Sequence, residues 1–196
     1  SSTGRKIGEL KLAVAGEHNV LNALAAFAAA SALAIAEEKV VNGLGTFTGT
    51  RRRFELKGEV SGIKVIDDYG HHPTELIVTL KAAKNLAQGG RVLVIFQPHR
   101  YSRTAAFANQ FSQALSLADF TYLLEVYAAS EKPLPGISSL LIAKNMSAQQ
   151  VKFEPSMLQV VSDVVAMAKS GDVIITLGAG DVSSLGEPIL QALASR

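Results

Sequence analysis

The segment Val65-Ile-Asp-Asp-Tyr-Gly-His-His-Pro-Thr-Glu75 carries an apolar run straight into a polar and aromatic cluster and then into a helix signal. Lys64-Val65-Ile66 reads as the end of a strand. Pro73, with φ fixed and no N–H to donate, suits the first turn of a helix over residues 74–86. Asp67, Asp68, Tyr69, His71 and His72 therefore fall in one strand-to-helix connection. In open α/β sheets, connections at the carboxyl ends of strands form the ligand crevice, because the unpaired N–H groups of the helix start face it. The plainer readings are that Asp68 caps the turn after it and that the two histidines are solvated loop residues. A metal site is disfavoured, since adjacent side chains rarely point at one ion and no third ligand follows at a recognisable spacing.

Downstream, strand and helix patterns alternate. Residues 91–97 form a nearly continuous apolar run of the kind found in parallel strands covered on both faces. Residues 104–117 read as the next helix, 120–126 as a strand, 151–153 as a short strand, 156–169 as a helix, 172–177 as a last strand and 185–194 as a terminal helix. Just upstream, 54–60 and 63–67 read as two strands joined by a hairpin turn at Ser61-Gly62. This alternation predicts an α/β fold, a Rossmann-like and mostly parallel sheet flanked by helices.

Nearer the start, residues 7–15 alternate as a strand would, and the alanine-rich stretch 23–36 carries leucines at helical spacing, predicting a buried helix. His18 and Asn22 stand four residues apart at its start with Asn19 beside them, at the positive end of the helix dipole, where they can meet a ligand. Asn19 can equally serve as a helix cap. Residues 37–47 read as a second short helix, and the glycines that follow place a boundary near 48–51, giving domains 1–49 and 50–196.

Two further loops follow strands at the same edge of the predicted sheet. Gln97-Pro-His-Arg-Tyr-Ser-Arg-Thr104 sets Arg100 and Arg103 three apart at a helix entrance, where their forked N–H groups can clamp a carboxylate or phosphate, or simply be solvated. Leu177-Gly-Ala-Gly-Asp181 is a glycine turn without the third glycine of a dinucleotide fingerprint, since Ser183 holds that place, and close helix packing explains it equally well.

Hydrophobic residues make up 48% of the 196, and charged residues 18%, enough for a sizeable core. Net charge is +2, from 19 basic and 17 acidic residues, which argues against a nucleic-acid binder despite Arg51-Arg52-Arg53. The absence of cysteine excludes disulfides and thiol catalysis. With no apolar run of about 18 residues, a membrane association is not expected, and a soluble cytoplasmic protein is. The opening Ser1-Ser-Thr-Gly4 suggests a piece of a longer polypeptide.

Taken in order, Gly16-Glu-His-Asn-Val-Leu-Asn22, Gly49-Thr-Arg-Arg-Arg-Phe-Glu55, Asp67-Asp-Tyr-Gly-His-His-Pro-Thr-Glu75, Phe96-Gln-Pro-His-Arg-Tyr-Ser-Arg-Thr104 and Leu124-Glu-Val-Tyr127 resemble the Mur ligase family over nearly the whole chain. The resemblance implies an amide-forming ligase that phosphorylates a nucleotide-linked carboxylate with ATP and Mg²⁺ and lets an amine displace the phosphate. It implies UDP-N-acetylmuramate and L-alanine as substrates. A recycled peptide as acceptor, or a nucleotide-binding module with no chemistry, are the alternatives. It also implies that residues 1–49 are the tail of a central ATP-binding domain and 50–196 the C-terminal domain. By the same resemblance, His18, Asn19 and Asn22 meet the adenine side of the nucleotide, and Arg53 and Asp68 reach ATP phosphates and ribose. Tyr69, His71, Arg100 and Arg103 line the amino-acid pocket, with Arg53, Asp68 and His71 closest to the chemistry. The family's Gly-Lys-Thr phosphate loop, the magnesium-binding carboxylate after it and the N-terminal UDP-binding domain are absent from these 196 residues, so the chain alone is expected to lack ligase activity.

Overall fold

The computed structural model describes residues 9–14 and 16–196. The chain divides into two compact units, residues 1–51 and 52–196.

The second unit begins with the hairpin β1 (Glu55–Val60) and β2 (Ile63–Asp68), joined by Ser61 and Gly62 at φ 52° and 75°. Two successive positive φ values match the right-handed twist of the strands, which is why a serine-glycine pair turns here. There follow α3 (Pro73–Ala87), β3 (Val92–Phe96), α4 (Tyr101–Leu115), β4 (Phe120–Leu123), α5 (Leu140–Ala143), β5 (Val151–Phe153), α6 (Met157–Met167), β6 (Val173–Leu177), a 3₁₀ turn (Asp181–Leu185) and α7 (Gly186–Ala194). The helices α1 and α2 belong to the first unit and are described below.

The strand order is β1-β2-β6-β3-β4-β5, with β1 antiparallel to β2 and all other pairs parallel. Every residue of β3 and β6 is buried, as their unbroken apolar runs require of central strands covered on both faces. The period of two splits their side chains. Ile66, Val94, Phe96, Ile175 and Leu177 pack under α3, α4 and α5, while Val65, Leu93, Ile95 and Ile174 pack under α6 and α7. The chain steps outward from β2 through β3 and β4 to β5, then returns to insert β6 between β2 and β3. Right-handed crossovers put outward and returning helices on opposite faces, which is the observed division.

The boundaries differ from expectation at a few ends. β4 stops at Leu123 rather than at 126, α4 starts at Tyr101 rather than 104, and α5 and the 3₁₀ turn had no clear sequence signal. Among the described residues, no helix is long and apolar enough to cross a membrane.

The first unit contains α1 (Glu17–Ala32) and α2 (Glu37–Gly45). Alanine content made α1 a helix, as expected, but it is not a buried one: Leu21 is 62% exposed, Leu24 60% and Leu33 76%, with Ala23 buried. Helix formation needs only local bonds and propensity, whereas burial needs a facing surface. Within this unit the short α2 is what α1 packs on. Of the strand expected over 7–15, residues 9–14 are described and are irregular, and residues 7, 8 and 15 lie outside the described set. A strand requires a partner for its backbone groups, and the described residues of this unit offer none.

Candidate functional site

The carboxyl ends of β2, β6 and β3 and the start of β4's following loop carry the side chains that sequence singled out between residues 53 and 103. Asp68 closes β2 and is 5% exposed. Its Oδ1 accepts from the Gly70 N–H at 2.7 Å and its Oδ2 from the Phe54 N–H at 2.7 Å. It does cap the turn after it, as the plainer reading had it, but at a cost: burial raises its carboxyl above the ordinary aspartate range, and the N–H groups of Gly70 and Phe54, the Thr79 hydroxyl and Arg53 offset this only in part. Asp67 faces the other way, accepting from the Thr176 hydroxyl at 2.7 Å and from Arg52 Nε at 3.2 Å.

Arg52 knots this end of the sheet. Its Nη2 donates to the Gly178 carbonyl at 2.6 Å and to the Gly180 carbonyl at 3.3 Å, and its guanidinium lies 5.0 Å from the Tyr69 ring centre. Arg53 lies 5.6 Å over the same ring, with its side chain 52% exposed and a loose ion pair to Glu75 at 3.8 Å. Tyr69 is thus the plate on which two arginines rest.

The paired histidines have separate duties. His72 caps α3: its Nδ1 accepts from the Thr74 N–H at 3.4 Å, Glu75 Oε2 accepts from the His72 N–H at 3.1 Å, and its ring packs against Phe107. His71 faces the cluster, its Nδ1 3.0 Å from the Tyr69 carbonyl and 3.7 Å from Glu75 Oε2, with its ring edge-on to Tyr69. Burial raises the Glu75 carboxyl, but the N–H and ring of His71, the N–H of His72 and Arg53 outweigh it, and the group stays below the ordinary range.

From the β3 side, the His99 ring lies 5.7 Å from that of His71 and stacks on Tyr127 at 5.6 Å and 13°. Arg103 Nη1 donates to His99 Nδ1 at 3.3 Å. Burial lowers the His99 pKa, followed by Arg103, His71 and Arg100, against Glu131 raising it, so the neutral form of the ring is favoured. Arg100 is exposed at the N-cap of α4, at φ 74° and ψ 135°, and its N–H donates to the Tyr127 carbonyl at 2.8 Å. A non-glycine residue held there marks a loop whose geometry is imposed by its surroundings. Tyr69, His71, Arg53, Asp68 and Arg103 are therefore on one rim, with Arg100 at its exposed edge.

The glycine turn after β6 is explained by close approach. A Cβ on Gly178, at φ 142°, would stand 2.6 Å from the Gln97 carbonyl, and one on Gly180 would collide with Gln97 Oε1 and lie 2.8 Å from the Tyr127 ring. Gln97 ties the turn down, donating to Asp181 Oδ1 at 2.6 Å and accepting from the Val182 N–H at 3.1 Å. Close packing accounts for both glycines of this motif.

His18, Asn19 and Asn22 belong to the first unit, on the first turn and a half of α1. The N-cap there is Gly16, so Asn19 is not the cap, and the side chain of His18 lies outside the described set. Sequence reasoning passed over Arg52, Glu75, Gln97 and His99. Only Glu75 had a local signal, three residues after a helix cap.

The family model described as Mur ligase, glutamate ligase domain, matches residues 52–180. A UDP-N-acetylmuramate–L-alanine ligase of Renibacterium salmoninarum is 50% identical over 186 residues, covering 95% of this chain and 40% of its own length. Among solved structures, a UDP-N-acetylmuramate-alanine ligase of Thermotoga maritima is similar at TM-score 0.80 and 31% identity, covering 98% of this chain and 41% of that one. A murein peptide ligase of Psychrobacter arcticus is similar at TM-score 0.73 and 28% identity, covering 95% of this chain and 39% of that one. The chain spans about 40% of the length of the curated relatives it matches.

Proposed function

The chain belongs to the Mur ligase family, and on that premise we propose that it is the C-terminal part of an ATP-dependent ligase joining L-alanine to UDP-N-acetylmuramate. The family as a whole depends on ATP and magnesium. The observation that carries the reading is the convergence of Arg103, His71 and His99 beside Asp68 and Arg53, a rim with cations for a carboxylate and an acceptor for an amine. The relative at 50% identity bears the name of that activity. In this proposal residues 1–49 are the tail of a central ATP-binding domain, for which the division of the chain at Arg51 gives support.

Arg53 suits the phosphates of ATP. Its guanidinium is half exposed on the Tyr69 ring, with the 3.8 Å pair to Glu75 too long to occupy its N–H fork. Charge that develops on the transferred phosphate would be met there, in a place already shaped by Tyr69. Asp68, short of full compensation, suits a ribose hydroxyl beside the phosphates. Arg100 and Arg103 suit the carboxylate of the amino acid, Tyr69 and His71 its other end, and His18, Asn19 and Asn22 the adenine side of the nucleotide. Among the described residues, no group of three or more His, Asp or Glu side chains is placed to hold a metal ion, so no role for Mg²⁺ is assigned to residues of this chain.

The test is phosphate release by the protein extended to the length of its relatives, with ATP, Mg²⁺ and UDP-N-acetylmuramate, offering L-alanine or the recycled tripeptide. Release dependent on L-alanine is expected. Release with the tripeptide alone would move the assignment to the peptide ligase, which the Psychrobacter arcticus likeness keeps in view. The 196-residue chain by itself is expected to release no phosphate, and alanine-dependent release from it would overturn the division of labour proposed here.

A further inference from the structure

The two rim histidines offer ligands opposite faces of the same ring chemistry. A neutral imidazole has one N–H donor and one lone-pair nitrogen, and the partner of one nitrogen decides what the other presents. At His71, Nδ1 stands 3.0 Å from the Tyr69 carbonyl and 3.7 Å from Glu75 Oε2, both acceptors, so Nδ1 carries the hydrogen and the neutral ring presents a lone pair at Nε2. At His99, Nδ1 faces Arg103 Nη1 at 3.3 Å, and a guanidinium can only donate, so Nδ1 is the acceptor and Nε2 carries the hydrogen.

We propose that His71 and His99, their rings 5.7 Å apart, are fixed in opposite tautomers and set the direction in which an α-amino acid lies in the rim: His71 Nε2 receives the amino group and His99 Nε2–H, with Arg100 and Arg103, receives the carboxylate. This deepens the acceptor pocket of the proposed ligase and rests on that reading. Glu75 and Arg103 are the positioning residues, each acting through the histidine that it orients. The charged groups around the pair favour the assignment. His99 has Arg103 and Arg100 beside it, with Glu131 opposing them. Tyr127, stacked flat on the ring, fixes its plane. Tyr69, edge-on to the His71 ring and with its carbonyl 3.0 Å from Nδ1, fixes the other, with the Glu75 carboxylate 3.7 Å from the same nitrogen.

The test uses the ¹⁵N-labelled 196-residue chain and long-range ¹H–¹⁵N imidazole spectra near pH 7, with the four histidines assigned by His→Gln substitutions. His71 is expected to show an N–H-type Nδ1 and a lone-pair-type Nε2, and His99 the reverse. Arg103→Met should move His99 toward a tautomer mixture while leaving His71 unshifted, and Glu75→Gln, which keeps the helix-capping acceptor, should do the converse. Titration with L-alanine should shift both Nε2 signals, and propionate, which lacks the amino group, only that of His99. The same tautomer in both rings, or no shift of His71 Nε2 with L-alanine, would overturn the proposal. None of these readouts needs ATP or a second substrate, so failure of the ligase assay leaves them standing and their failure leaves the assay standing.

Discussion

Asp68 and Asp172 are buried carboxylates at opposite ends of the same pair of parallel strands, 5% and 3% exposed, and the protein holds them in opposite ways. Asp172, just before β6, accepts from the Arg91 N–H at 3.0 Å, Arg91 Nε at 3.3 Å, Arg91 Nη2 at 2.6 Å and the Lys169 N–H at 2.8 Å. Burial raises its carboxyl, but Arg91 and these N–H groups outweigh burial and hold it below the ordinary range. Asp68, at the rim, has two backbone donors, the Thr79 hydroxyl and the charge of Arg53, and burial wins. One end of the sheet is closed off electrostatically as a clamp between β3, α6 and β6. The other keeps a carboxylate short of a cation, the condition in which it can still gain from a ligand.

The largest effect is expected from breaking the clamp. Asp172→Ala leaves Arg91 and two backbone N–H groups without their acceptor, and should lower stability by about 2–3 kcal/mol even with solvent reaching Arg91. Urea unfolding measures it, and an unchanged midpoint would mean that water satisfies all of these donors. Asp68→Asn turns an amide NH₂ toward either the Gly70 or the Phe54 N–H, and should cost about 1–2 kcal/mol at neutral pH.

The pH dependence sharpens the comparison further, because the two groups act with opposite signs. Asp172, with its folded pKa depressed, contributes stability that is present above the ordinary aspartate value of about 3.9 and is lost as pH falls through the folded value. Asp68, with its folded pKa raised, binds its proton more tightly when folded. It therefore subtracts stability at neutral pH, and that penalty disappears as pH falls from the raised value past about 3.9. Carboxyl ¹³C titration should find the Asp68 midpoint above that value and the Asp172 midpoint below it. Midpoints on the same side would remove the distinction between the two ends.

Much of this architecture could be read locally. The apolar runs of β3 and β6 announce strands covered on both faces, Pro73 announces the start of α3, and the order of residues 65–75 puts Asp68, Tyr69 and His71 in a strand-to-helix connection. What could not be read is non-local. Nothing in residues 172–177 says that β6 inserts between β2 and β3, and this insertion is what carries the glycine turn to Arg52 and Gln97. Arg52 sits 126 positions from the Gly178 carbonyl that it holds, so its role is invisible beside the equivalent-looking Arg51 and Arg53. The leucines of α1 fail in the other direction, since their spacing fixes a helix but says nothing about a surface to cover it.

The smallest expected effect isolates what makes the clamp matter. Lys152 Nζ lies 2.6 Å from Asp163 Oδ2, the same separation as Arg91 Nη2 from Asp172 Oδ2. The lysine side chain is 46% exposed and that of Asp163 22%, whereas the Asp172 side chain is 4% exposed. Hydrogen bonding to Asp163 raises the Lys152 pKa and hydrogen bonding to Lys152 lowers that of Asp163, so the pair forms, but water screens both partners and solvates either when the other is removed. Lys152→Met should leave the urea midpoint where it was, and added salt should not separate the variant from the parent. A loss comparable to that of Asp172→Ala would mean that ion-pair distance alone governs stability in this sheet. The expected contrast would place the cause in burial, and in the backbone N–H groups of Arg91 and Lys169 that Asp172 gathers.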